Sequence, residues 1–265
     1  MKSVPFFQVD AFADTPFQGN PAAICLLKEA LDTHTMLSIA QENNLSETAF
    51  VIPVSDGFQL RWFTPQVEVE LCGHATLATA HILWQKNLLA AQEPARFHTK
   101  SGLLTVVKEG DWMTMDFPKR PIQTKEAPES LLKALGVRPI ASSYSVDRYL
   151  LEVATEEEVI QARPDMSLLK QEEMVVLTSL SKAPYDFISR SFAPSHGVDE
   201  DPVTGSSHSS LVPYYAEKLH KKHLHAYQAS ARGGELKVSL QGARVLITGK
   251  AVTIIEGTLY IEQAN

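Results

Sequence analysis

Cysteine is scarce in this chain of 265 residues: Cys25 and Cys72 are the only two. Two thiols make no disulfide framework, so a reducing compartment is expected. Positive charge is also in short supply. Lys+Arg 24 against Asp+Glu 31 leaves a net charge of −7, which gives no basic footprint for nucleic acid. Long apolar runs are missing. The longest uncharged stretches, near 71–85 and 202–216, are interrupted by Gly, His, Ser or Pro. They fall short of the roughly 18 apolar residues that a membrane span needs. The opening MKSVPFFQVDAF holds one Lys and no apolar h-region, so no signal peptide is read and the expected location is cytoplasmic. There is no P-loop, no GxGxxG and no GxSxG elbow, which makes cofactor-free chemistry the default. What remains, 44% hydrophobic and 21% charged, is a core-forming composition long enough for one large domain or two small ones.

An internal repeat bears on that choice. Arg61-Trp-Phe-Thr-Pro65 recurs as Arg190-Ser-Phe-Ala-Pro194. Three glycine pairs, Gly73 and Gly205, Gly102 and Gly234, Gly110 and Gly242, share one offset of 132 residues. The Arg-x-Phe-x-Pro pair sits at 129, which requires a three-residue length change in the following loop. A shared offset with matching apolar patterns implies two homologous lobes. The polar run Lys119–Glu129 is the expected linker.

Alternation over Leu103–Lys108, Trp112–Phe117, Leu236–Leu240 and Arg244–Thr248 predicts strands, turned at Glu109-Gly110 and Gln241-Gly242. Helical spacing predicts helices over 75–86 and 207–219, the second tolerating Pro213 only early or with a kink. Shorter helices are expected at Thr35–Glu42, Pro128–Leu135 and Glu156–Ala162.

Both repeated glycines stand where a strand turns into a helix. The first helical turn leaves backbone N–H groups unpaired, and the macrodipole adds roughly half a positive charge there. If the lobes pack about a pseudo-two-fold axis, His74 and Ser206 flank one ligand in an inter-lobe cleft. Taken singly, each is an ordinary cap. The acids Asp199, Glu200 and Asp201 precede Thr204-Gly205 and have no matched basic partner in sequence; a solvated turn is the plain account, a hold on a substrate amine or hydroxyl the functional one. They lack a calcium-loop pattern. Glu47 leads the apolar strand Ala49–Pro53 and reads as exposed, unless partial burial tunes it into a general base. Cys72 reads as a small buried hydrophobe or as a thiol activated by the helix start; its repeat partner is Thr204. The cluster His220-Lys-Lys-His223-Leu-His225 lacks Cys or acidic companions, which favours a cation-rich helix end over a zinc patch.

These residues fall into motifs that resemble the PhzF family, named for phenazine biosynthesis and related in fold to diaminopimelate epimerase. The motifs run in order along the chain: Val9-Asp10-Ala11-Phe12, Gly19-Asn20-Pro21-Ala22, Leu45-Ser46-Glu47-Thr48-Ala49-Phe50, Phe63-Thr64-Pro65, Cys72-Gly73-His74-Ala75-Thr76 and Glu200-Asp201-Pro202-Val203-Thr204-Gly205-Ser206. The resemblance implies an α+β fold of two similar lobes, each a curved barrel-like β-sheet around a central helix. Residues 1–118 would form one lobe, joined by a strand near 255–265, and 130–254 the other, with the active cleft between them. It also implies a homodimer. Family members of known function isomerise a dihydro-hydroxyanthranilate by moving a proton without metal or organic cofactor. Their catalytic glutamate maps onto Glu47, their histidine onto His74, their aspartate onto Asp201 and their serine onto Ser206. Gly73 and Gly205 match the positions whose N–H groups line the site, beside Cys72 and Thr204.

Two departures stand out. The phenazine enzymes carry Ala-Gly-His-Pro where this chain has Cys72-Gly73-His74-Ala75, which places it nearer the broad branch of the family outside phenazine synthesis. The epimerase cousins pair two cysteines at the helix starts, and Thr204 removes one here. The leading expectation is a cofactor-independent isomerase acting on a small carboxylate-bearing substrate, with Glu47 as acid/base and no metal. The alternatives are a small-anion binding protein without turnover and a Cys72-dependent racemase or epimerase.

Overall fold

The computed structural model describes residues 1–261. The chain divides into two units, Met1–Asp116 with Thr248–Asn265, and Phe117–Ile247. In chain order the first contains β1 (Lys2–Ala11), β2 (Asn20–Leu26), α1 (Thr33–Asn43), β3 (Glu47–Val54), β4 (Gly57–Phe63), β5 (Glu68–Val69), α2 (Gly73–Gln85), β6 (Ala95–Thr99), β7 (Gly102–Glu109) and β8 (Trp112–Pro118), the last reaching the boundary. The second contains β9 (Gln123–Thr124), α3 (Glu129–Leu135), β10 (Ala141–Ser145), β11 (Arg148–Glu152), α4 (Glu156–Gln161), α5 (Met166–Leu169), β12 (Met174–Leu180), β13 (Phe187–Ala193), β14 (Val198–Asp201), α6 (Gly205–Leu219), β15 (His223–Gln228), β16 (Gly234–Gln241) and β17 (Arg244–Gly249). Strand β18 (Ala251–Ile261) belongs to the first unit.

The pairing scheme is repeated. In the first unit β1–β2 is antiparallel, β2–β3 parallel, β3–β4 antiparallel, β4–β6 parallel and β6–β7 antiparallel. In the second the same sequence of pairings runs β10–β11, β11–β12, β12–β13, β13–β15 and β15–β16. Each parallel pair needs a crossover. Helix α1 makes the first in one unit, α4 with α5 in the other; α2 and α6 make the second.

Helices α2 and α6 are the central ones. Ten of the 13 residues of α2 and ten of the 15 of α6 are buried, more than an amphipathic surface helix would cover. By contrast α1 lays Met36, Ile39 and Ala40 on a core with Cys25, Phe50 and Phe63. The Asp32 carboxylate accepts from Thr35 N–H at 2.9 Å to start α1, and Asn44 ends it at φ +49°. The hairpin glycines Gly110 and Gly242 sit at φ +58° and +60°, a region that favours glycine.

The repeated arginine motif has a structural reason. Arg61 forks onto Glu68 at 2.7 and 2.8 Å and lies over the Phe63 ring. Arg190 forks onto Glu200 at 2.7 and 2.9 Å and lies over Phe192. Each arginine braces the short strand that leads to a central helix. The three-residue length change falls between brace and acid, where Pro194–His196 forms one 3₁₀ turn.

Pro213 lies inside α6 and the helix continues past it. A proline there deprives the carbonyl four residues back of its donor. That carbonyl, on Ser209, accepts instead from the backbone N–H of Arg120 at 3.1 Å. The expected linker 119–129 is therefore tied down, and it also contains β9 and the first residue of α3. The chain rejoins the first unit from Thr248, earlier than the strand expected near 255–265, because β18 pairs with the full length of β1, Lys2↔Ile261 to Ala11↔Ala251. Residues 262–265 lie outside the described residues.

Candidate active site

The start of α2 carries a cluster of three chemistry-bearing side chains. Glu47 is the first residue of β3, pairs in register with Ala22 and has a side chain 17% exposed. Its Oε2 lies 3.2 Å from Nε2 of His74, the second residue of α2. Burial pushes the His74 imidazole down to a pKa of about 3, so the ring is neutral. Asn20 Nδ2 approaches His74 Nδ1 at 3.2 Å. An amide nitrogen only donates, so Nδ1 accepts and the ring proton sits on Nε2, facing Glu47. Cys72 Sγ is 3.5 Å from the same Nδ1 and is buried. Glu47, Cys72 and His74 present donor atoms within 4.8 Å of one another. One oxygen, one sulfur and one nitrogen form a set that zinc accepts.

The start of α6 is assembled differently. Asp201 ends β14, and its Oδ2 accepts the Thr204 hydroxyl at 2.6 Å. Buried Gln228 clamps this turn, accepting from Thr204 N–H at 2.8 Å and donating to the Asp201 carbonyl at 2.6 Å. Ser206, the second residue of α6, accepts from Arg148 Nη1 at 3.0 Å.

Both helices begin without a side-chain cap: Cys72 and Thr204 make no capping hydrogen bond, whereas Asp32, Thr155 and Asp165 cap α1, α4 and α5. In both, the side chain one turn in bonds back to the cap carbonyl. Thr76 donates to Cys72 O at 2.5 Å, and His208 donates through Nδ1 to Thr204 O at 2.8 Å.

Each expected site residue is thus located within its own unit: Glu47, Cys72, Gly73 and His74 together in the first, Asp201, Thr204, Gly205 and Ser206 together in the second. Two expectations need correction. Glu200 is not without a basic partner, because Arg190 from the neighbouring strand takes both its oxygens; the acidic run is strand β14, not a solvated turn. The histidine cluster is a helix end only at His220. Helix α6 stops at Leu219, His220 adopts the left-handed conformation, and His223 and His225 lie on β15, where His225 binds Glu235 at 2.6 Å. The residues that sequence reasoning passed over are Asn20, Arg148 and Gln228. Arg148 had a signal: like Glu47, it is a charged residue heading an apolar run, here Tyr149–Leu151.

Comparison with known proteins adds a family. Residues 9–257 match the model described as PhzC-PhzF, phenazine biosynthesis-like protein. The chain is 47% identical over 265 residues to an uncharacterised isomerase of Halalkalibacterium halodurans, covering 98% of this chain and 100% of that one. It is 50% identical over 257 residues to an uncharacterised isomerase of Pseudomonas aeruginosa, covering 96% and 98%. The crystal structure of a phenazine biosynthesis protein of the PhzF family from Enterococcus faecalis superposes with a TM-score of 0.93 at 39% identity, covering 98% of this chain and 100% of that one. Among the described residues no helix is long and apolar enough to cross a membrane.

Proposed function

Since the chain belongs to the phenazine biosynthesis-like PhzC-PhzF family, we propose that it is a cofactor-independent isomerase that moves a proton on a small carboxylate-bearing substrate, with Glu47 as the acid/base. The observation that carries this reading is the Glu47 carboxylate, largely buried, 3.2 Å from a neutral imidazole. In the first step a substrate C–H bond breaks, its electron pair stays on the substrate, and the proton bonds to Glu47. In the second the Glu47 carboxyl, whose proton exchanges with solvent, delivers a proton to a different carbon as the electrons shift. One carboxylate performs both steps, and such catalysis contributes about 10²–10⁴-fold.

His74 assists without competing. The neutral ring stands 3.2 Å from the Glu47 carboxylate, and its depressed basicity keeps it from taking the proton. Asp201 and Ser206 orient polar groups of the substrate, and the N–H groups at Gly73 and Gly205, beside Cys72 and Thr204, line its binding surface. We take the active form to be a homodimer.

The experiment is a metabolite screen in deuterated water. A substrate of the wild-type protein gains mass by exchange, and Glu47→Gln abolishes the gain while ligand binding persists. Exchange that survives in Glu47→Gln removes the carboxylate from the mechanism. Saturable anion binding with no exchange in the wild type identifies a binding protein.

A second reading has one observation in its favour: Cys72 Sγ stands 3.5 Å from His74 Nδ1. A thiol-dependent racemase would lose its activity in Cys72→Ser, whereas the carboxylate mechanism keeps most of it. Activity unaffected by a chelator is expected of the carboxylate mechanism, and loss on chelation would point to a metal held by Glu47, Cys72 and His74.

A further inference from the structure

His74 has only 5% of its surface exposed, and its Nε2 makes no hydrogen bond among the described residues. A buried polar nitrogen outside any hydrogen bond is rare enough in folded proteins to need an explanation. Glu47 Oε2 lies 3.2 Å from this nitrogen, and Cys72 Sγ lies 3.5 Å from the other nitrogen of the ring.

These separations suit a metal polyhedron. A tetrahedral zinc has Zn–S of about 2.3 Å and Zn–N or Zn–O of about 2.0–2.1 Å. Its sulfur and nitrogen ligands then stand about 3.6 Å apart, its nitrogen and oxygen ligands about 3.4 Å. Glu47, Cys72 and His74 present donor atoms all within 4.8 Å of one another. Side-chain rotations that close roughly 1 Å complete three corners of the tetrahedron, and water takes the fourth. With zinc on Nε2 the ring proton sits on Nδ1. The Asn20 amide, 3.2 Å from Nδ1, turns its carbonyl to accept that proton.

Charge balances as well. A thiolate and a carboxylate neutralise the dication, so it does not bring net charge to the positive end of α2. Sulfur and nitrogen ligands favour zinc over magnesium or calcium, which seek oxygen. Nor is the set a by-product of the repeat. Met174, Thr204 and Ser206 stand at the matching positions of the second unit, and none supplies a thiolate, a carboxylate or an imidazole.

We propose that Glu47, Cys72 and His74 form a zinc site that holds the protein inactive, because the metal occupies the carboxylate that takes the substrate proton. As the Zn–S bond forms, the Cys72 S–H proton leaves to solvent. Zinc is here a reversible inhibitor and not a cofactor, so a chelator leaves activity intact or raises it. The site stands on geometry; only the inhibition rests on the isomerase reading.

Cobalt(II) is the probe, added to the metal-free full chain, because it is coloured where zinc is not. About one equivalent should give a sulfur-to-cobalt charge-transfer band with the visible bands of a tetrahedral ion. Zinc should abolish both, and magnesium neither. Cys72→Ser should remove the charge-transfer band, whereas Cys25→Ala, in the core under α1, should keep it. If Cys72→Ser does not fold, Cys72→Ala carries the same test. Glu47→Gln and His74→Gln should each weaken zinc binding about 100-fold or more, since partners outside the ligand set are alone worth about 10–100-fold. A wild type without the charge-transfer band, a band that survives loss of Cys72, or zinc affinity unchanged in Glu47→Gln overturns the proposal. Deuterium exchange that persists with zinc bound overturns the inhibition. Absent exchange in the metal-free protein, with the cobalt signature intact, would sink the isomerase reading and leave the site standing.

Discussion

At the start of α2 a carboxylate meets a neutral imidazole; at the start of α6 a hydroxyl meets a buried guanidinium. The two places come from one plan. Glu47 and Met174 each open the central strand of a unit, and each pairs in parallel register with the strand before it, against Ala22 in one case and Arg148 in the other. Between the units the charge has moved to the adjacent strand and reversed sign. The backbone devices, an uncapped helix start, a side chain returned to the cap carbonyl and an arginine brace, are the same in both. Duplication has preserved the machinery that presents a helix terminus and has changed the two side chains that decide what is presented there.

The largest effect that would sharpen this comparison is on turnover. Glu47→Gln should cost about 10²–10⁴-fold in solvent-deuterium exchange, while Met174→Gln, at the matching position, leaves exchange at the wild-type rate. Equal losses would mean that the units do not divide the work in this way.

Next comes stability. Arg190 donates to the carbonyls of Val159, Ile160 and Ala162 in addition to Glu200, whereas Arg61 bonds Thr33 and Glu68. Arg190→Ala should destabilise by about 3–5 kcal/mol, as for a broken buried pair. Arg61→Ala, more exposed, should cost about 1–2 kcal/mol. Denaturant midpoints measure both, and a reversed order would show that the brace of the first unit matters more.

The smallest effect is a slope with pH. His208 is buried, and its pKa is pushed down to about 4 by that burial, partly opposed by its hydrogen bond to Thr204. His74 lies at about 3 for the same reason. An unfolded histidine takes a proton near pH 6.5, so below that pH the unfolded chain binds protons that the folded one refuses. Stability is therefore complete above about pH 6.5 and falls as the solution is acidified. Thermal unfolding should show His208→Gln flattening the fall between about pH 6.5 and 4 by up to about 1.4 kcal/mol per pH unit. An unchanged slope would mean that His208 is protonated in the native state.

Much of the fold was legible because it is written in local signals. Glycines in hairpins and at strand-to-helix turns keep a constant spacing, and the Arg-x-Phe-x-Pro brace repeats with them, so two similar units are legible in the sequence alone. The α+β lobes built around α2 and α6 and the family itself are as expected. What could not be read depends on partners far apart in sequence. Glu200 looked unpaired because Arg190 reaches it from a neighbouring strand. Gln228 clamps Thr204 across 24 residues, and Arg148 reaches Ser206 across 58. Periodicity carries no information on such pairs. Glu47 and Arg148 gave the same faint sign, a charge heading an apolar run, and resemblance to a family drew attention to only one of them.

Pro213 gives the molecule a keyhole. By withholding one N–H it leaves a single carbonyl of α6 open, and the chain that enters the second unit fits Arg120 into it. The same arginine then grips Asp147, which grips Arg148. A better helix former at 213 would close the keyhole from inside, and the Arg120 amide would lose its protection from hydrogen exchange. A residue that looks like a flaw in the helix is thus the latch that holds the entering chain and, through Asp147, steadies the Arg148 guanidinium.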